Sequence, residues 1–194
     1  MIINLTSVLA DEFQIPVLRQ ALSVGGNFMT AYFKTFFTLT FSMLTVCSKG
    51  QVNEQKNRQQ VLKKAIVDSV FVFGKWTKAG QTETHLKYLG QVVTKAGQTF
   101  KVLNSTWYWG ISQRATSRIL IFNNHNQYVG NYNLTMTTDL PTNMKNGEII
   151  FRNTDEDCDK NLVTIVNLKN GLPKQIFRKC KGNDGDIYSF DKSK

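Results

Sequence analysis

What most constrains this chain is the punctuation of the stretch after residue 65. Short runs of Val, Ile, Phe, Tyr and Thr alternate there with clusters of Gly, Asn, Asp and Pro. β-Branched and aromatic side chains suit a pleated, half-buried surface, and the clusters hold the residues that reverse a chain. The runs predict strands over 66–73, 84–94, 99–109, 118–122, 127–136, 148–152, 162–168, 174–180 and 186–190. No interval has room for a crossover helix, so neighbouring strands must pair antiparallel through hairpins. The expected fold is therefore mostly β, an antiparallel meander forming a barrel or a sandwich, in a single domain over 66–194.

The turns carry signatures of their own. Asn123-Asn124-His125-Asn126 joins ILIF to QYVGNY, Lys169-Asn170-Gly171 joins LVTIVNL to LPKQIF, and Gly182-Asn183-Asp184-Gly185 precedes DIYSF. Asn, Asp and Gly tolerate the left-handed backbone that tight hairpins need. The hexapeptide TKAGQT occurs twice, at 77–82 and 94–99. Each copy lies between two expected strands, so the copies fall at opposite ends of one strand. That placement makes the repeat one turn chemistry used twice. A pair of backbone-amide nests for anions is the functional alternative.

Upstream of the strands, 51–65 is polar and helix-favouring, with Val61 and Leu62 as its apolar anchors, and predicts a short helical arm. Residues 29–50, MTAYFKTFFTLTFSMLTVCSKG, have the architecture of a signal peptide. Lys34 is its basic flank, 36–47 its mostly apolar run, and Ser48 and Gly50 the small residues before a cut at Gln51. The run is shorter than the ~20 residues that span a bilayer. Residues 1–28 then read as an upstream extension or a mis-assigned start. The expected product is exported: periplasmic, outer-membrane-associated or extracellular, touching membrane only through the signal segment where it stays uncleaved. Leu44-Thr45-Val46-Cys47 resembles a bacterial lipoprotein box, which would lipidate Cys47, although Val46 departs from the small residue such boxes carry.

Cysteine usage agrees with export. Of the 3 cysteines, Cys47 lies in the signal, leaving Cys158 and Cys180 as the expected disulfide. No CxxC is present, which argues against thioredoxin-like redox chemistry and a zinc knuckle. The chain carries 24 Lys+Arg against 14 Asp+Glu, a formal charge of +10. Its first fifty residues hold only Arg19, Lys34 and Lys49 against Asp11 and Glu12, so the excess belongs to the β region. Such a surface attracts anionic partners, but the cations are scattered, with no run longer than two.

Few residues suggest a site. Alternation in the TWYW stretch puts Trp107 and Trp109 on one face and Tyr108 on the other. Inward, the two indoles are core; outward, they form a sugar-stacking or interface platform, with Arg114 and Arg118 near enough to complement an anionic ligand. Asp155, Asp157 and Asp159 alternate like the start of a calcium loop, but Lys160 stands where the turn Gly belongs and Val166 where the closing Glu belongs. A solvated acidic loop is the other reading. His85 and His125 are isolated, and no nucleophile elbow, HExxH, P-loop or Rossmann fingerprint occurs. Neither a cofactor nor specific nucleic-acid readout is expected.

Two resemblances add to this. Gly74-Lys75-Trp76 after the VFVF run resembles the G-x-W signature of lipocalins, which implies an eight-stranded ligand barrel with Trp76 closing its base; ordinary core is the alternative role for Trp76. The Asn/Lys/Phe-rich composition, the signal before Gln51 and the closing PKQIFRKCKGNDGDIYSF resemble small uncharacterised secreted proteins of the Bacteroidota, which implies location and no activity. The expected function is a non-enzymatic binding module for a lipid, glycan or envelope component, through a barrel interior or the Trp107/Trp109 face. The alternatives are a hydrolase of envelope or extracellular polymers, using two carboxylates across a cleft, and a purely structural or interaction domain.

Overall fold

The computed structural model describes residues 48–192. The chain divides into Met1–Gln51 and Val52–Lys194, and the second unit carries the β structure. The expected extension over 1–28 and the apolar run with Cys47 lie outside the described residues. Helix α1 spans Ser48–Lys64, so it begins just before the expected cut at Gln51. No helix among the described residues is long and apolar enough to cross a membrane.

Ten strands follow: β1 Val70–Gly74, β2 Glu83–Val93, β3 Thr99–Trp109, β4 Arg114–Asn123, β5 Tyr128–Leu134, β6 Asn143–Lys145, β7 Glu148–Arg152, β8 Val163–Asn167, β9 Gln175–Lys181 and β10 Asp184–Lys192. They build a seven-stranded sheet in the order β1-β2-β3-β4-β5-β10-β9 and a three-stranded sheet β6-β7-β8. Every pairing is antiparallel. The large sheet is open, with β1 and β9 as its edges, so the barrel alternative is not realised. The long interval between β5 and β10 explains why: it holds the small sheet, which covers one face instead of letting the edges meet.

The large sheet buries both faces along its middle strands. Towards the small sheet, Val102, Ile119, Ile121 and Tyr132 pack with Ile149, Phe151 and Leu168. On the other face, Leu86, Leu103, Leu120 and Phe122 pack with Val61 and Leu62 of α1. Successive residues of β3 and β4 thus serve opposite cores, which is why RILIF reads as a continuous apolar run. β10 closes in on β5 at Gly130, where an added Cβ would collide with the carbonyl oxygen of Asp191.

Both copies of TKAGQT make the same turn. Gly80 N–H donates to the Thr77 carbonyl (3.1 Å) and Thr77 N–H to Gln81 (3.3 Å); Gly97 N–H donates to Thr94 (2.9 Å) and Thr94 N–H to Gln98 (2.8 Å). Gly80 and Gly97 have φ of 93° and 78°, the left-handed residue that follows a type I turn in a three-residue hairpin loop. Asn126 fills the same place between β4 and β5, with φ 60° and matching bonds from Asn126 to Asn123 and from Asn123 to Gln127. The copies lie at the two ends of β2.

Candidate functional site

Helix α1 covers only part of its sheet face. Its end contacts mark its course: Arg58 lies over the Tyr128 ring at the start of β5, Gln59 donates to the Asn126 carbonyl, and Lys64 lies over Phe71 of β1. The helix therefore crosses the strands near the β4–β5 turn. Strand parity puts Trp107 and Trp109 on this same side, because Leu103 faces α1 and β3 pairs with β4 without interruption from Phe100 to Trp109. Beyond the helix the face becomes an open shelf.

The shelf combines aromatic and cationic groups. Trp107 and Trp109 are stacked, 5.6 Å between centroids and 23° between planes. Arg114 lies over the Trp109 ring at 5.7 Å, and Trp109 Nε1–H donates to Thr116 Oγ1 (3.1 Å). Trp107, opposite Thr84 and Thr116, is 38% exposed. Trp107 thus stands at the surface, and Trp109 beside it is half-buried. Arg118 lies diagonally beside Trp107, opposite Ser105 and Asn133, and its Nε–H donates to Asn133 Oδ1 (3.2 Å). Neither Arg114 nor Arg118 forms an ion pair among the described residues.

Trp76 stands apart from this platform. It is half-buried in the β1–β2 connection, its Nε1–H donating to the Gly110 carbonyl (2.8 Å), and with the sheet open it closes no barrel. Its backbone N–H donates to Glu83 Oε2 (3.1 Å), while Glu83 Oε1 meets His85 Nε2 at 2.5 Å. The His85 contact, then the Trp76 bond, hold the Glu83 carboxyl below its usual range. Glu83, His85 and Tyr108 share the sheet side opposite the shelf.

The acidic loop is put to structural use. Cys158 and Cys180 form the expected disulfide. Asp155 pairs with Arg178, and Asp159 Oδ1 accepts the Asn161 N–H. Among the described residues no group of three or more His, Cys, Asp or Glu could hold a metal ion. Arg178 itself is a group the local sequence pattern concealed. It is 1% exposed, with its Nη1 2.9 Å from Asp139 Oδ1 and with Asp155 and Asp186 at 3.5 and 3.9 Å. Asp139 Oδ2 also accepts the Tyr188 hydroxyl and the Met136 N–H, each at 2.8 Å. Three carboxylates thus converge, but on a guanidinium in the core instead of across an open cleft. Burial, and then the bond to Asp139, push the Tyr188 hydroxyl pKa far up.

No family model, curated protein or solved structure matches the chain.

Proposed function

We propose that this chain is a non-enzymatic, exported binding module that holds a saccharide on the shelf beside α1. The stacked pair of exposed Trp107 and half-buried Trp109, set among Thr84, Thr116 and Asn133, carries the reading. An indole matches the C–H face of a pyranose ring, and short polar side chains around it can bond hydroxyls. Large aromatic side chains left in water on a rigid sheet are costly unless something covers them. The open sheet favours a glycan over a lipid, because its tryptophans stand on an outer face and line no chamber. One disulfide fits an exported product.

Titration calorimetry against a panel of soluble neutral and acidic polysaccharides tests this. Trp107→Ala should weaken the binding observed by about tenfold or more, with the variant still unfolding in one cooperative urea transition. Failure of every polysaccharide to bind, or full binding by Trp107→Ala, overturns the reading. A ligand found instead for the Glu83–His85 side of the sheet would also move the site.

A further inference from the structure

We infer that the shelf selects acidic saccharides, with Arg118 as the residue that receives the negative group; this rests on the reading of the shelf as a saccharide site. Arg118 is half-buried on the sheet; its Nε–H donates to Asn133 Oδ1, and among the described residues its two Nη groups have no side-chain partner. Holding the guanidinium at Nε orients its two terminal nitrogens, and a planar fork of this kind matches a carboxylate, sulfate or phosphate with two parallel bonds.

The surroundings favour an anion. Arg114 adds a second cation over Trp109, while Arg58 and Lys64 stand on the flanking helix. Against them are Glu54, already paired with Arg58, and Asp191, exposed on β10 opposite Asn131. Cations therefore outnumber the acids on this face among the described residues.

Spacing sets the shape of the ligand. Trp107 and Arg118 are diagonal neighbours on adjacent antiparallel strands, a separation of about 7–8 Å between backbones. A sugar stacked on Trp107 can thus place its own charged substituent, or that of the next sugar, on the Arg118 fork. A polymer of uronic acids or sulfated sugars has this repeat of flat ring and charge. A neutral glucan has only the ring.

The test compares the full chain with polygalacturonate, dextran sulfate and neutral dextran, beside inorganic sulfate alone, anionic phospholipid vesicles and a single-stranded oligonucleotide. Binding to an acidic polymer should exceed binding to dextran by about 10–100-fold, the worth of hydrogen bonds to a charged group, and should fall as salt rises. Arg118→Gln should remove that preference, bringing acidic-polymer binding down to the level of dextran. Arg118→Lys keeps the charge but not the fork, and should lose most of the preference. Equal binding of acidic and neutral polymers would overturn the inference and leave the saccharide reading standing. Binding to none would sink both. Tighter binding to vesicles or to the oligonucleotide, or an acidic preference retained by Arg118→Gln, would also overturn the inference.

Discussion

Replacing Asp139 by Asn should be among the most damaging single changes in the molecule. Asp139 is 3% exposed and answers three donors: Arg178 Nη1, the Tyr188 hydroxyl and the Met136 N–H. Asparagine keeps the shape but loses the charge, and its amide must turn N–H₂ towards one set of donors. Breaking a buried ion pair from one side typically costs about 3–5 kcal/mol. Asp155 and Asp186 remain near Arg178 but are more exposed and more distant, so their compensation is partial and the lower end, about 3 kcal/mol, is expected. Urea unfolding of the oxidised protein, followed by tryptophan fluorescence, measures it. With a slope of about 1–3 kcal/mol/M the midpoint should drop by roughly 1–3 M. The double variant Arg178→Met with Asp139→Asn should cost less than the two single changes summed, because neither leaves the other's charge buried and unpaired. A cost below about 1 kcal/mol for Asp139→Asn would refute the reasoning, since only a pair wetted like a surface salt bridge is worth so little.

Other expectations follow from the same contacts. Reducing Cys158–Cys180, which closes a segment of 22 residues, should lower stability by about 3 kcal/mol in the same urea assay. Burial raises the Tyr132 hydroxyl pKa, and burial with Asp139 raises that of Tyr188, so the folded state favours both neutral forms. Their contribution is fully present below the unfolded tyrosine value near 10 and is lost as pH rises above it; melting temperature should fall steeply there, and less so in Tyr188→Phe. Gly97→Ala should cost about 1–2 kcal/mol from its left-handed backbone alone, because no atom lies within 4 Å of the added Cβ. Gly97→Asn should cost less, as Asn126 already occupies the equivalent place.

Where punctuation is strong, the sequence marks the strands well. The runs 99–109 and 148–152 coincide with β3 and β7, each bounded by turn residues on both sides. The run from 66 starts late, because Asp68 takes φ 62° and keeps Ile66 and Val67 out of β1. β6 carries no such signal: Asn143, Met144 and Lys145 have little β propensity and are strand only through pairing with β7. The tryptophans show another limit. Alternation puts both on one face, yet β3 is buried on both sides at Val102 and Leu103, so the pattern alone cannot say that this face is open further along. That depends on where α1 stops. Arg178 had a readable signal in Ile176-x-Arg178-x-Cys180, which aligns it with an apolar residue on one face. Its partner Asp139 lies 39 residues upstream in a short 3-10 turn, a pairing that only the fold supplies.

The helix owes its place to very little. Among the described side chains of α1, Val61 and Leu62 are the apolar ones it buries, worth about 1.5–3 kcal/mol each before the ordering of the helix is counted. The sheet beneath is held by far more, so α1 should be the first element to lift, and its amides should exchange with solvent ahead of those of β3 and β4. Each such opening wets Leu86, Leu103, Leu120 and Phe122 and extends the tryptophan shelf into one long apolar strip. The molecule would then be at its stickiest while still almost wholly folded, and concentrated solutions should clump from that state before global melting begins.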